Sequence, residues 1–202
     1  MNALNRKLIT GGLSKPSKMP GYAYNLPATE CKVGAKLVQI PGSVCHGCYA
    51  LKGRYRFPNV KEAMHRRLKS IDGPLWVETM AADINARKSK YFRWHDSGDI
   101  QSLAHLKKIF DVCKLTPDVA HWIPTRESGI LSKLGPEEVP ANLTIRLSAT
   151  MVDGNAPKNS WHLTSTVVTE GASCPAPKQG NECKSCRNCW DQSIKNIAYG
   201  KH

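Results

Sequence analysis

Between residues 60 and 169 the chain alternates between two hydrophobic periods, and few architectures accommodate that alternation. The clearest strand signal is "NLTIRLSATM", where Leu143, Ile145, Leu147 and Ala149 alternate with Thr144, Arg146, Ser148 and Thr150. Shorter strand patterns lie in "YFRWHDSGD", "VAHWIPTR" and "SWHLTSTVVT". Helical patterns separate them. "VKEAMHRRLKSI" carries Val60, Ala63, Met64, Leu68 and Ile71 on one stripe, opposite His65, Arg66, Arg67 and Lys69. A second helix is expected from Pro74 to about Arg87, proline being acceptable in a first turn. "SLAHLKKIFDVCK" puts Leu103, Leu106, Phe110 and Cys113 on a buried stripe, with Cys113 a packing thiol. A helical turn is expected at "SGILSKLG".

Strands separated by helices build βα units and a mostly parallel sheet. At 202 residues the chain is short of the ~250 that a closed eight-fold barrel usually takes. The expectation is therefore an α/β fold, a truncated or partial (β/α) barrel, in one domain over 1–202. Residues 1–58, rich in Gly and Pro, read as a loop-rich leading segment whose order depends on bound metal. Residues 59–169 form the β/α core, and 170–202 a cysteine-rich tail.

Cysteine is the second constraint. The chain has 8 cysteines, and no apolar h-region follows the basic residues of its N-terminus. That predicts a cytoplasmic protein, where clustered thiols signal metal or redox chemistry more than disulfides. No run of eighteen or more apolar residues is present, so no membrane partner is expected.

Cys174, Cys183, Cys186 and Cys189 follow a C-x8-C-x2-C-x2-C spacing. Tetrahedral zinc sites usually pair two C-x2-C knuckles across a longer insert. Thiols chained at x2 instead wrap one object and reach several of its corners, as in ferredoxin-type [4Fe–4S] loops, with Cys174 as fourth ligand. Zinc is the alternative metal. Cys31, Cys45 and Cys48 form a second set, C-x13-C-x2-C. Three thiols leave one iron of a cluster open for a substrate or cofactor. Alternatively His46 completes a zinc site, Cys45 and Cys48 form a redox pair, or both sets share one cluster.

Reactive groups in parallel β/α sheets collect at the C-terminal strand ends. There the chain offers His95, Asp96, Ser97, Gly98 and Asp99, then Thr125 and Arg126, then Ser148 and Thr150. His95, Asp96, Asp99 and Arg126 are the catalytic candidates; Ser97, Gly98 and Ser148 are candidate cofactor contacts. Asp99 could equally cap the following helix. The net charge of +13 points to an anionic partner, and "GRYRF" mixes Arg54 and Arg56 with aromatic rings.

"GLSKPSKMPGYAYNLPATEC", the C-x2-C-Y-A step followed by Gly-Arg, "RWHDSGD" and "CKSCRNCW" together resemble the phage gene product 88 family. The likeness covers most of the chain and implies an iron–sulfur protein of the host cytoplasm. "IPGSVCHGCYA" also resembles the cluster loop of radical-SAM-like phage proteins, with "WIPTR" and "NLTIRLSATM" as later barrel strands. That resemblance implies Cys31, Cys45 and Cys48 as cluster ligands at the barrel mouth. It also implies that "SGD" holds the amino end of S-adenosylmethionine. The chain departs from it in two places: thirteen residues separate the first two cysteines, and Ser97-Gly98-Asp99 replaces a Gly-Gly-Glu type of motif. The departures bear on S-adenosylmethionine and leave the cluster implied. Two functions follow: a redox or radical enzyme, or a metal-braced module binding nucleic acid or a host protein.

Overall fold

Parallel strands cannot be joined by tight turns, so every connection must travel back along the sheet before the next strand begins. The computed structural model describes residues 1–158 and 161–201 and solves this problem five times over. Its strands are β1 (Tyr22–Tyr24), β2 (Tyr91–Trp94), β3 (Ala120–Thr125), β4 (Leu143–Val152), β5 (Leu163–Val168) and β6 (Asn196–Gly200). They lie in chain order in one sheet, each pair of neighbours parallel. β1 and β6 do not pair, so the sheet is an open partial barrel, as the strand–helix alternation predicts.

The helices are α1 (Ala3–Thr10), α2 (Lys32–Leu37), α3 (Pro58–Ser70), α4 (Trp76–Ala86), α5 (Leu103–Lys114) and α6 (Ser128–Leu131). α3, α4 and α5 fall where the periodicity places them. α5 starts at Ser102, whose side chain accepts from the His105 amide, so the cap is Ser102 and not Asp99. The last two crossovers differ: among the described residues neither β4–β5 nor β5–β6 contains an α-helix. The expected strand "SWHLTSTVVT" begins at Ser160, outside the described residues; β5 starts at Leu163.

One sheet face carries the core. Phe92, Trp94, Ile123, Leu143, Ile145 and Leu147 pack against Trp76, Met80 and Ile84 of α4 and Leu106, Phe110 and Cys113 of α5. Each such burial contributes roughly 1.5–3 kcal/mol, so this layer dominates the fold's stability. Tyr24 pins β1 into it: its hydroxyl donates to the Thr10 carbonyl at 2.6 Å and accepts from Trp76 Nε1 at 3.1 Å.

One local reading, that of Arg67, is corrected, and two segments carry more regular structure than their patterns announce. The leading segment is not only loop, because α1 and β1 lie within it. α1 is short and held by caps, Asn2 at one end and Gly11 in a left-handed turn at the other, while β1 has too few residues to show a period. Arg67 is not on the exposed side of α3: its Nε donates to the Gly12 carbonyl at 2.6 Å and its guanidinium lies over Tyr24. The cysteine-rich tail also carries β6, whose pairing with β5 extends from Thr164–Asn196 to Val168–Gly200.

Three buried histidines line the helical side of the sheet. His121 stacks on Trp94 at 6.0 Å and bonds Thr116 Oγ1 at 2.8 Å, while His95 and His105 face each other at 5.5 Å. Burial pushes His95 and His121 down from 6.5 to about 3, and His105 well below its ordinary value. The unfolded chain therefore binds protons that the folded one refuses between pH 6.5 and about 3. Stability should be full above pH 6.5 and fall as the pH drops through that window. Denaturant titrations at pH 7.5, 6 and 5 should show this loss, and a His121→Asn variant should flatten it.

Candidate cysteine-bearing site

The face of the sheet away from the helices corresponds to a barrel interior, and it is not solvent-exposed. Arg93, Trp122 and Thr144 sit side by side across β2, β3 and β4, with Arg146 one step further on. The β5–β6 connection, which holds four cysteines, folds over them. Trp190 packs edge-on against Trp122 at 5.2 Å and Tyr91 at 5.3 Å, and donates to the Phe92 carbonyl at 3.0 Å. Arg146 is fully buried beneath it. Its Nε donates to Cys189 O, Nη1 to Thr164 O and Ile194 O, and Nη2 to Asn188 O and Asp191 O. Every N–H of the guanidinium is used. The sequence shows an arginine alternating with apolar residues and suggests a wet face; the covering segment makes it dry.

The first cysteine set lies at the C-terminal edge of the sheet. Its loop leaves β1 and crosses to the end of β4, where Val44 N donates to Thr150 O at 2.9 Å and Val152 N to Gly42 O at 3.0 Å. Cys48 N closes a tight turn on Cys45 O at 3.1 Å. Gly34 of α2 faces the thiols: a Cβ there would stand 3.7 Å from the sulfurs of both Cys31 and Cys45, and 2.9 Å from Cys31 Cβ. Burial pushes the Cys31 thiol strongly up, with Asp99, Cys45, Cys48 and Glu127 adding to the effect. Burial also raises Cys45, and the Arg126 guanidinium partly offsets it. The set is therefore a crowded, electron-rich corner with one cation beside it.

The second set is gathered around Arg93. Burial, with Cys174 adding to it, raises Cys183, and the Arg93 charge opposes that rise. Cys189 is pushed up to about 11 by burial, against a hydrogen bond from Tyr199 at 3.2 Å and the Arg93 charge. Backbone bonds fix the segment, Cys174 N to Ala198 O at 3.0 Å and Cys183 N to Lys18 O at 2.9 Å. No disulfide links any cysteine. Among the described residues no three His, Cys, Asp or Glu side chains close on one point as a single metal ion requires.

Arg93 links the second set to the residue that follows the first. Its guanidinium lies over Trp122 at 4.5 Å. It is within electrostatic reach of Cys189, Tyr49 and Asp96. Tyr49 follows Cys48 directly and donates to the Asp96 carbonyl.

The polar candidates part company in three dimensions. Asp99 and Arg126 stay with the first thiols: Asp99 accepts from Thr125 Oγ1 at 2.6 Å and from the Arg126 amide at 2.9 Å, which ties β2 to β3. Burial pushes Asp99 up to about 6 against those bonds. Arg126 Nε donates to Ala149 O at 3.2 Å. Asp96 turns to Tyr55, which donates to it at 3.2 Å. His95 points into the core, with Nδ1 on the Tyr24 carbonyl at 3.1 Å. Ser148 pairs with Ser165 at 2.9 Å, and the exposed His46 with the Val38 carbonyl. Ser97 donates to Leu26 O at 2.9 Å, and Gly98, at φ +81°, leaves room for Leu26, whose Cβ would lie 2.5 Å from an added one. The side chains of "SGD" are thus committed within the chain.

A model of the gene product 88 family matches residues 2–192. The chain belongs to this phage protein family. The match takes in both cysteine sets and the strand ends that face them, so the family relationship covers the whole site of this gene product 88 member. No curated protein and no solved structure matches the chain.

Two residues of this site carry no sequence signal of their own. Glu127 is buried, and its carboxylate accepts from the Val33 amide at 3.0 Å, holding α2 beside the first thiols. Arg146 does the same for the second set. Arg146→Met should cost about 3–5 kcal/mol, because five carbonyls lose their donors in a dry layer. Limited trypsin digestion should then cut at Lys184 and Arg187 at least ~10-fold faster than in the parent. Arg146→Lys, with three donors, should fall between the two.

Proposed function

We propose that this gene product 88 member is an iron–sulfur redox protein whose first cysteine set forms the reacting centre. Cys31, Cys45 and Cys48 would hold a [4Fe–4S] cluster at the mouth of the partial barrel, with one iron free of cysteine. Cys174, Cys183, Cys186 and Cys189 would hold a second, fully ligated cluster. The observation that carries the reading is the close approach of Gly34 to the first thiols. A Cβ there would stand 3.7 Å from the sulfurs of both Cys31 and Cys45 and 2.9 Å from the Cys31 Cβ, so only a hydrogen of Gly34 faces them. Thiols kept clear of a side chain in this way suit a polynuclear cluster, which takes its ligands at several corners. A zinc ion needs them converging on one point.

Such a cluster, when bound, supplies one-electron transfer. The chain's own residues do the rest. Arg126 offsets the negative charge of the thiolates, Glu127 holds α2 in place, and Asp99 keeps the ends of β2 and β3 together. Cys45 is buried beneath the loop. That burial limits the access of water to the centre. Because the side chains of Ser97 and Asp99 are already bonded within the chain, no step is assigned to S-adenosylmethionine.

Protein purified without oxygen should be brown and carry about eight iron and eight sulfide per chain, the content of two [4Fe–4S] clusters. Cys48→Ser should remove about half of the iron, and Cys186→Ser the other half. Gly34→Val should mimic Cys48→Ser while leaving the second set loaded. A colourless protein with stoichiometric zinc overturns the reading. So does a Gly34→Val variant with full iron content.

A further inference from the structure

We propose that the recess between the first cysteine loop and helix α3 binds single-stranded nucleic acid. The recess has a volume of about 260 Å³, with Leu51, Tyr55 and Met64 among its apolar walls and Arg56, Lys61 and His65 among its polar ones. None of these last three side chains makes a hydrogen bond or ion pair among the described residues. No carboxylate lines the recess. A cavity with two full cations, a titratable ring and no counter-ion has its charge matched by an anionic ligand.

The basic surface extends well beyond the cavity. Lys52 and Arg54 fall between its lining residues Leu51 and Tyr55, and Lys69 continues it along α3; all three are exposed, and their side chains are also without a partner among the described residues. Glu62 is the single acidic side chain of that helix. α3 has 13 residues and so runs roughly 20 Å. A stripe of that length exceeds a compact metabolite and fits successive phosphates of a polymer.

Two aromatic rings decide which polymer. Phe57, between Arg56 and Pro58, is 54% exposed, and Tyr49 beside the loop is 46% exposed. Exposed rings interleaved with arginine and lysine offer stacking faces to bases. Bases in a duplex are already stacked and present only edges to a protein. The apolar recess likewise accepts a splayed base and has no counterpart on a duplex surface. None of this depends on what the cysteines bind.

Fluorescence anisotropy with labelled 20-nucleotide single strands of DNA and RNA, and with the matching duplex, tests the proposal. The protein should bind a single strand at least ~10-fold more tightly than the duplex in 0.1 M salt. Phe57→Ala should weaken binding roughly tenfold with an unchanged salt slope, since it removes stacking and no charge. Arg56→Ala with Lys61→Ala should make the slope of log K against log salt shallower by about 1.4, at ~0.7 per phosphate lost. Lys133→Ala, on an exposed lysine of another surface, should change neither. Duplex binding as tight as single-strand binding overturns the proposal. Two further results do so as well: indifference to Phe57→Ala, and an equal loss from Lys133→Ala and from the double variant. All four substituted positions are exposed, and circular dichroism on each of the three variants confirms that the fold is kept.

Discussion

The fully buried guanidinium of Arg146 holds the second half of this molecule together. A sheet of six parallel strands has two faces to cover, and helices cover only one of them here. The other face carries Arg93, Trp122 and Arg146 and would be wet in an open sheet. The β5–β6 connection covers it, and a segment without helix or strand ladder brings many unpaired carbonyls with it. Arg146 answers five of them at once. An arginine suits this task because its planar fork of donors spreads over several acceptors, where a lysine offers three from one point. The cysteines of the second set ride on a backbone fixed in this way.

The same economy appears at the barrel mouth. Glu127, at the end of β3, holds the start of α2, and Asp99, at the end of β2, ties into β3. The loop of the first cysteines thus rests on four successive strands without a strand of its own. Arg93 lies within electrostatic reach of Cys189 of the second group and of Tyr49, which follows Cys48 of the first. The basic recess beyond Tyr49 places a polymer-sized cationic surface next to the first group.

Much of the architecture was legible from periodicity. α3, α4, α5 and the strands from β2 to β5 announce themselves because each buries one face, and burial imposes a period on apolar residues. β1 has three residues and β6 five, and neither is long enough to set a period; both are strands because of the strand they pair with. The helical period places Arg67 on the exposed side of α3, and a carbonyl and a ring draw it inward. At the site, cysteine spacing told which thiols belong together, since x2 steps are local geometry. The polar group His95–Asp99 did not stay together. A left-handed residue at His95 and another at Gly98 send consecutive side chains in different directions.

Sequence alone determined the β/α class, the openness of the barrel and the two cysteine sets, because period, length and local spacing are properties of neighbours along the chain. Tertiary structure alone decided what those sets face. Arg93 within reach of Cys189 and Tyr49, Glu127 on the Val33 amide and Arg146 beneath the covering segment are all meetings of residues far apart in the chain. No spacing rule encodes such meetings, since they exist only once the sheet has brought its strand ends together.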